Sequence, residues 1–197
     1  MLNFSPSCER NQAVILAELI AMLTTGQQVL EIGSLSGQHA IHFSKNIPHI
    51  KWQPSDLNEN IPALNHNIAN AFLNNCQPPI VLDVADKHQW PNIKYEAIFT
   101  ANTLHIMSWQ HVEKLFENMN KVCKIGTLLC VYGPFKYQGQ YTSTSNENFQ
   151  LWLQDRDVKS GIRDFEKVNE LAVKQGFKLI TDKDMPANNQ WLIWQMA

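Results

Sequence analysis

Two apolar patterns alternate along this chain. Short runs of about five apolar residues are typical of buried strands, and apolar residues recurring every three or four positions are typical of amphipathic helices. The predicted strands are 28–32, 50–53, 80–84, 95–101, 127–132, 177–181 and 191–195. The predicted helices are 6–23, 37–44, 61–73, 109–123 and 164–175. This alternation predicts an α/β fold, a mostly parallel sheet with helices on both faces.

The last two predicted strands, 177–181 and 191–195, are joined by a long turn without a helix. Such a hairpin places one antiparallel strand in an otherwise parallel sheet. Residues 133–163 break the alternation and are rich in glycine, serine, asparagine and aromatic residues, so we expect a long functional loop or lid. No linker or repeat interrupts the rest, so residues 1–197 are expected to form a single domain.

Composition excludes several classes of function. The 16 basic and 18 acidic residues nearly balance, which argues against a nucleic-acid or membrane-surface protein. No apolar run approaches the ~20 residues of a membrane span, and the first residues lack the pattern of a secretory signal. The four cysteines are scattered, and His39 and His42 have no evident third ligand, so we expect reduced thiols, no metal site and a cytoplasmic protein.

The stretch from Val29 to Ala40 is the first candidate for chemistry. An apolar strand containing Glu31 passes through Gly33 and Gly37 into a helical pattern. Glycine lets a ligand approach the backbone, and the first N–H groups of a helix can donate hydrogen bonds to it. The stretch therefore predicts a site for a nucleotide-bearing ligand, with a purely structural turn as the alternative.

Polar residues recur at the ends of the predicted strands. They are Glu31, Asp56, Asp83, Asn102 and Tyr132. In an open α/β sheet, ligands bind at the carboxyl ends of the strands, so a series of this kind favours one ligand lying along the sheet edge.

Two of these acids have specific expected roles. Asp56 follows Gly37 by close to the ~20 residues expected between a glycine turn and the acid that binds a ribose. Its alternative role is that of a turn residue after Pro54. Asp83 could accept a hydrogen bond from an adenine amino group while Val84 offers its backbone, or it could only cap the strand end.

Several motifs that lie far apart and in order carry a resemblance. They are SP at 5–6 with ERN at 9–11, LEIGSLSGQH at 30–39, WQPSD at 52–56, NTLHI at 102–106 with Trp109, YGPF at 132–135, TS at 142–143 with SN at 145–146, GIRD at 161–164 and MPANN at 185–189. With them the chain resembles the class I S-adenosylmethionine-dependent methyltransferases, and within these a family of small methyltransferase-like proteins, domain of unknown function 938.

The resemblance implies a Rossmann-like seven-stranded sheet of order 3-2-1-4-5-7-6, with strand 7 antiparallel. It also implies S-adenosyl-L-methionine as the cofactor. By position, Glu31, Gly33, Ser34 and Gly37 would surround the methionine part of the cofactor. Asp56 with Leu57 would hold the ribose, and Asp83 and Val84 would hold the adenine. Asn102 would lie at the face below the sulfonium. Arg10 could pair with the cofactor carboxylate, or could form only a helix-surface pair with Glu9.

One position departs from the general Gly-x-Gly-x-Gly pattern. Leu35 stands where the middle glycine is expected. A leucine adds bulk and does not readily adopt a positive φ. Leu35 could narrow the cofactor pocket or point away from it.

The implied reaction transfers a methyl group in line from a sulfonium to a nucleophile, so the protein mainly aligns the reactants and excludes water. His105 is the first candidate for a general base because its ordinary pKa lies near neutrality. A histidine that only orders its loop is the alternative. Tyr132 is the second candidate, with a buried, hydrogen-bonded tyrosine as its alternative.

The acceptor is expected to be a small molecule, bound in part by the 133–163 segment. The candidate acceptor-binding residues are Phe135, Arg163, Asn188 and Asn189. Two other functions stay open. The domain could bind a protein partner without transferring a methyl group, a possibility that Leu35 favours, or it could be a nicotinamide-dependent reductase, which the glycine spacing fits poorly. The oligomeric state stays open as well.

Overall fold

A computed structural model describes all residues, 1–197, and contains six α-helices and ten strands. The helices are α1 Pro6–Met22, α2 Gln38–Asn46, α3 Ile61–Ala69, α4 Trp109–Met119, α5 Thr144–Arg156 and α6 Phe165–Lys174. The strands are β1 Gln28–Ile32, β2 Lys51–Asp56, β3 Ile80–Val81, β4 Ala97–Ala101, β5 Leu128–Gly133, β6 Phe135–Tyr137, β7 Gln140–Tyr141, β8 Arg163–Asp164, β9 Phe177–Met185 and β10 Asn189–Met196. A short 3-10 helix, Pro186–Asn188, joins the last two strands.

Seven strands form one sheet in the order β3-β2-β1-β4-β5-β10-β9. The pairs β1–β2, β1–β4 and β2–β3 are parallel, whereas β10 is antiparallel to both β5 and β9. Because β9 and β10 are the sixth and seventh strands of this sheet in chain order, the predicted order 3-2-1-4-5-7-6 is confirmed. The fold is Rossmann-like, as the resemblance implies, and a second small sheet has the order β7-β6-β8.

The chain divides into two compact units, which are described separately. Unit 1 comprises residues 1–89 and 95–100, and unit 2 comprises residues 90–94 and 101–197. None of the helices combines the length and the apolar character that a membrane span requires. The expectation of a single domain stays a prediction.

The core of unit 1 is an aromatic cluster beside β1. Phe43, Trp52 and Phe99 are fully buried, and their ring centroids lie 5.3 to 5.6 Å apart in tilted or edge-on arrangements. Edge-on aromatic pairs contribute about 0.5–1.5 kcal/mol beyond the area they bury. The cluster therefore anchors α2 and β2 against the central strands of this unit.

The core of unit 2 is built on β5 and β10. Trp191 and Trp194 of β10 are fully buried, and the indole Nε1 of Trp194 donates a 2.9 Å hydrogen bond to Asn169 of α6. Helix α4 begins at the predicted Trp109, since Ser108 caps it by accepting a hydrogen bond from the N–H of His111.

Two sequence predictions need correction. The third strand ends at Val81 instead of Val84, since only two residues of β3 pair with β2, and Asp83 and Val84 therefore lie in the turn that follows. Residues 133–163 contain β6, β7 and the thirteen-residue helix α5, none of which was predicted, and their role as a functional loop or lid stays a prediction. Ser143 caps the start of this helix and is a local sequence signal for it. The apolar residues of the helix show little helical periodicity, so the helix was not predicted.

Candidate functional site

In the loop between β1 and α2 of unit 1, every second residue from 33 to 37 has a left-handed backbone conformation. Gly33, Leu35 and Gly37 have φ values of +77°, +47° and +76°. The N–H groups of Gly33 and Ser34 both donate to the carbonyl of Ser55 at the end of β2, at 3.1 and 3.0 Å. The hydroxyl of Ser34 accepts from the Ser55 N–H at 3.2 Å. The end of β2 therefore holds the first half of the loop.

Leu35 has a left-handed backbone conformation, which glycine enters without steric cost. Its N–H donates a hydrogen bond of 2.6 Å to Oδ2 of Asp56, and its side chain is 39% exposed. The backbone path of the loop thus accommodates a leucine, although few non-glycine residues adopt a positive φ.

Asp56 is the last residue of β2, and 7% of it is exposed. Its Oδ1 accepts two hydrogen bonds, from the N–H of Leu57 at 2.7 Å and from Nδ2 of Asn60 at 2.8 Å. A carboxylate has about four acceptor positions, and with the Leu35 bond three are used. One position on Oδ2 is left for a ligand hydroxyl.

Glu31 lies inside unit 1, with 2% of its surface exposed. Its Oε2 accepts a 2.8 Å hydrogen bond from Nε1 of Trp52, and its Oε1 lies 3.9 Å from Nδ1 of His39. Burial raises the pKa of Glu31 to about 7 against the lowering effect of the Trp52 and Ser34 hydrogen bonds. A carboxyl in this state exchanges a proton near neutrality.

Gly37 is constrained by packing as well as by its φ. A Cβ at this position would lie 2.8 Å from Cδ1 of Leu64 and 3.0 Å from Cδ1 of Ile68, both on α3. The glycine therefore lets the start of α2 approach α3.

Asp83 lies in a tight turn after β3. Its Oδ1 accepts from the N–H of Ala85 at 2.9 Å, and its own N–H donates to Oε1 of Gln89 at 2.7 Å. Val84 is buried. The two bonds orient Asp83 within the turn, and the binding of adenine by Asp83 and Val84 stays a prediction.

Arg10 lies on the exposed surface of α1, where its Nη2 donates to the hydroxyl of Ser7 at 3.3 Å. Its pairing with a cofactor carboxylate stays a prediction.

In unit 2, His105 is buried, and its ring lies edge-on to Phe149 at 5.3 Å. Burial, and to a smaller extent the charge of Arg163, lower the pKa of His105 to about 4. The imidazole is therefore neutral at pH 7 and has one nitrogen that accepts hydrogen bonds.

Arg163 binds the backbone around His105. Its guanidinium donates to the carbonyls of Leu104, Met107 and Lys159, and Nε reaches Leu104 at 2.9 Å. The N–H of Gly161 donates to the His105 carbonyl at 2.8 Å. These bonds engage the donors of the Arg163 guanidinium with the protein itself. Acceptor binding by Arg163 stays a prediction.

Asn102 and Gly133 lie next to the same histidine. Asn102 has a φ of +57°, and its N–H donates to the carbonyl of Tyr132 at 2.8 Å. A Cβ at Gly133 would lie 3.7 Å from Nδ1 of His105 and 3.8 Å from Oδ1 of Asn102. The structure thus brings the predicted strand-end residue Asn102 close to the candidate base His105, with Gly133 between them.

The other predicted residues of unit 2 are largely engaged with the protein. Tyr132 is buried and hydrogen-bonded to the Asn189 side chain, and burial raises its pKa. Asn189 also donates to the carbonyls of Pro186 and Ala187. Phe135 is buried, and the carbonyl of Asn188 accepts a 2.9 Å hydrogen bond from Asn146. Their contacts with an acceptor stay predictions.

Sequence reasoning missed three supporting residues. They are Asn60, which fixes Asp56, Ser160, whose hydroxyl donates to the Ile106 carbonyl at 2.8 Å, and Gln150, whose Oε1 accepts from the Ile162 N–H at 2.7 Å. Only Asn60 had a local signal, because it lies four residues after Asp56 and just before α3.

Known proteins share this architecture. An O-methyltransferase family protein from Burkholderia thailandensis matches with a TM-score of 0.81 and 13% identity, over 97% of this chain and 57% of that one. Human N-acetylserotonin methyltransferase, solved in complex with S-adenosylmethionine, matches with a TM-score of 0.75 and 15% identity, over 97% of this chain and 53% of that one. The O-methyltransferase family 2 protein from Planctomyces limnophilus, in complex with apigenin, matches with a TM-score of 0.75 and 12% identity, over 94% and 62%. The chain thus spans little more than half the length of these proteins, and the likeness shows the fold.

The family model described as protein of unknown function (DUF938) matches residues 2–196. Because this match covers nearly the whole chain, the protein belongs to the DUF938 family.

Proposed function

We propose that this protein is an S-adenosylmethionine-dependent methyltransferase that acts on a small-molecule acceptor. The observation that carries the proposal is the β1–α2 loop of unit 1. Its residues 33, 35 and 37 are left-handed, and the N–H of Leu35 donates to the Asp56 carboxylate. The likeness in fold to the human enzyme whose structure contains S-adenosylmethionine supports the same assignment.

The residues of unit 1 suit this cofactor. S-adenosylmethionine carries hydroxyls, an amino-substituted ring and a positive charge, which acidic and backbone acceptors bind well. Asp56 retains one acceptor position, and the turn orients Asp83 through the bond between its Oδ1 and the Ala85 N–H. We assign Asp56 with Leu57 to the ribose, Asp83 and Val84 to the adenine, and Glu31, Gly33, Ser34 and Gly37 to the methionine part. Arg10 and Asn102 stay predicted cofactor contacts.

The cofactor, when bound, supplies an electrophilic methyl group. The chain then has to bind and align the reactants and exclude water, which can account for much of a methyl-transfer rate. His105 and Tyr132 of unit 2 are proposed to act on the proton of the acceptor. Since the pKa of His105 is about 4, the neutral ring accepts a hydrogen bond from an acceptor hydroxyl and is a weak base.

Calorimetric titration with S-adenosylmethionine tests the cofactor assignment directly. We expect Asp83→Asn to weaken binding by about tenfold or more, because a hydrogen bond to a charged group contributes roughly 1.5–3 kcal/mol. Asp86→Asn is the matched control, since Asp86 lies in the same turn and its oxygens accept from the N–H of His88 and from Gln89. No binding at millimolar cofactor, or tighter binding of NAD, would rule the assignment out.

A methyltransferase-like domain that works only through a protein partner is the competing function. Incubating the protein with a small-molecule extract and isotopically labelled methyl donor separates the two functions. Labelled product is expected from an enzyme, with Asp83→Asn as the control that reduces it. Cofactor binding without any labelled product would favour the partner-binding function.

A further inference from the structure

We propose that Asp56 is a positioning residue that holds Leu35 in the left-handed conformation and thereby shapes the 33–37 loop. The inference deepens the proposed function and rests on it wherever cofactor binding is the readout. It assigns to Asp56 a role beyond contact with a ribose, and it explains how a leucine is tolerated at a glycine position.

The strain at Leu35 is the first observation. Its φ of +47° lies in a region that L-residues with side chains enter at a cost, and glycine enters freely. Residues in such conformations persist only where their surroundings hold them there. One such contact is the bond of 2.6 Å from the Leu35 N–H to Oδ2 of Asp56, which is shorter than the roughly 2.9 Å of an ordinary N–H···O bond, and hydrogen bonds to a carboxylate are stronger than neutral ones.

The second observation is that the carboxylate is itself held in one orientation. The N–H of Leu57 and the Nδ2 of Asn60 both donate to Oδ1, and this leaves Oδ2 directed at the loop. Asp56 is also the last residue of a strand that pairs with β1 in parallel register. The carboxylate is therefore a rigid acceptor, and not a side chain that adapts to the loop.

The third observation is that three successive loop amides all donate to the end of β2. The N–H groups of Gly33 and Ser34 reach the Ser55 carbonyl, and that of Leu35 reaches Asp56. Gly33 adopts its left-handed conformation without steric cost. Leu35 does not. The N–H of Gly37 closes the turn around Leu35 by donating to the Ser34 carbonyl at 2.8 Å, and the bond to Asp56 is the one that ties the Leu35 amide itself to the end of β2.

A mutant cycle tests this dependence. Asp56→Asn keeps an oxygen for Leu57 and Asn60 but presents an NH2 group to the Leu35 N–H, so the critical bond is lost. With Leu35 present, we expect Asp56→Asn to weaken S-adenosylmethionine binding by about tenfold or more. With Leu35→Gly, the loss caused by the same substitution is expected to be at least about threefold smaller, because glycine holds the loop shape unaided and only the proposed ribose contact of Asp56 is lost.

Further variants at residue 35 separate conformation from side-chain size. Asparagine visits the left-handed region more readily than alanine, so Leu35→Asn is expected to rescue the Asp56→Asn protein in part, and Leu35→Ala is not. Asp83→Asn is the control and should lose the same affinity in the wild-type and the Leu35→Gly backgrounds. Equal losses for Asp56→Asn in both backgrounds, or rescue by Leu35→Ala, would overturn the proposal and leave Asp56 as a ligand only.

Hydrogen exchange of the residue 35 amide gives a readout without cofactor. We expect the amide to be protected in the wild type and to exchange at least about tenfold faster in Asp56→Asn, with protection of β1 amides such as that of Leu30 retained. Retained β1 protection also shows that the variant is folded. An unprotected amide in the wild type would refute the positioning role even if the cofactor binds. Protection together with absent cofactor binding would refute the proposed function alone.

Discussion

The indole Nε1 of Trp52 donates a hydrogen bond of 2.8 Å to Oε2 of Glu31, and both side chains are buried. This bond stabilises the ionised form of Glu31, yet burial outweighs it and raises the pKa from an ordinary 4.5 to about 7. Trp52 also packs in the aromatic cluster of unit 1. The pair thus couples the protonation of a predicted cofactor residue to the folded core.

Glu31→Gln is expected to change the pH dependence of stability. A carboxyl with a raised pKa in the folded state stabilises the protein fully below pH 4.5, and this contribution is lost as the pH rises through about 7. The variant should therefore gain roughly 2–3 kcal/mol relative to the wild type between pH 5 and pH 8, at about 1.4 kcal/mol for each pH unit between the two pKa values. Urea unfolding of both proteins at pH 5 and at pH 8 measures this gain. The same change in unfolding free energy between the two pH values in both proteins would contradict it.

Two buried histidines are expected to dominate acid sensitivity. Burial lowers the pKa of His39 to about 3 and that of His105 to about 4, from an ordinary 6.5. Below pH 6.5 the unfolded chain binds protons that the folded chain does not, so stability is lost as the pH falls towards 4. Replacing either histidine with glutamine should reduce the slope of unfolding free energy against pH between 4.5 and 6 by about 1.4 kcal/mol per pH unit. An unchanged slope in both variants would show that these histidines titrate normally.

Arg163→Met is expected to destabilise unit 2 and to raise the pKa of His105. The variant loses the donors to the carbonyls of Leu104, Met107 and Lys159, and we expect a loss of about 2–4 kcal/mol. Removing the nearby cation should also move the NMR titration of the His105 ring above about pH 4. Arg163→Lys is the matched control, because it keeps the charge but loses the fork of donors. A pKa that rises equally in both variants would mean that packing, and not charge, sets it.

Gly37→Ala is expected to destabilise unit 1 more than Gly139→Ala destabilises unit 2. Both glycines have a φ of +76°, so both variants incur the same backbone cost of about 1–2 kcal/mol. Only at Gly37 does the new Cβ meet side chains, 2.8 Å from Leu64 and 3.0 Å from Ile68, and overpacking adds roughly 1–3 kcal/mol. Nothing lies within 4 Å at Gly139. Equal unfolding free energies for the two variants would show that α3 moves away from the added Cβ at position 37 without a loss of stability.

The parts of the fold that were predicted correctly are mostly those that neighbouring residues determine. Strand β1 has the predicted limits, and α1 and α4 begin where expected, because an apolar run and a capping serine are properties of neighbouring residues. Strand β3 was overestimated because its length depends on its pairing with β2, which a single apolar run does not reveal. Helix α5 was missed because its buried residues, Asn146 and Leu153, do not form an apolar stripe.

In the candidate site too, some features follow from the sequence and others only from the tertiary structure. The sequence by itself determined which residues stand at the strand ends, since glycine, aspartate and asparagine occur where apolar runs stop. It also determined the family, through motifs that keep their order along the chain. Only the tertiary structure decided that Leu35 bonds to Asp56, that Glu31 is buried against Trp52 and that Arg163 binds backbone carbonyls. The physical reason is that hydrogen bonding and desolvation depend on distances between residues 21 to 59 positions apart, and only strand pairing and packing set those distances.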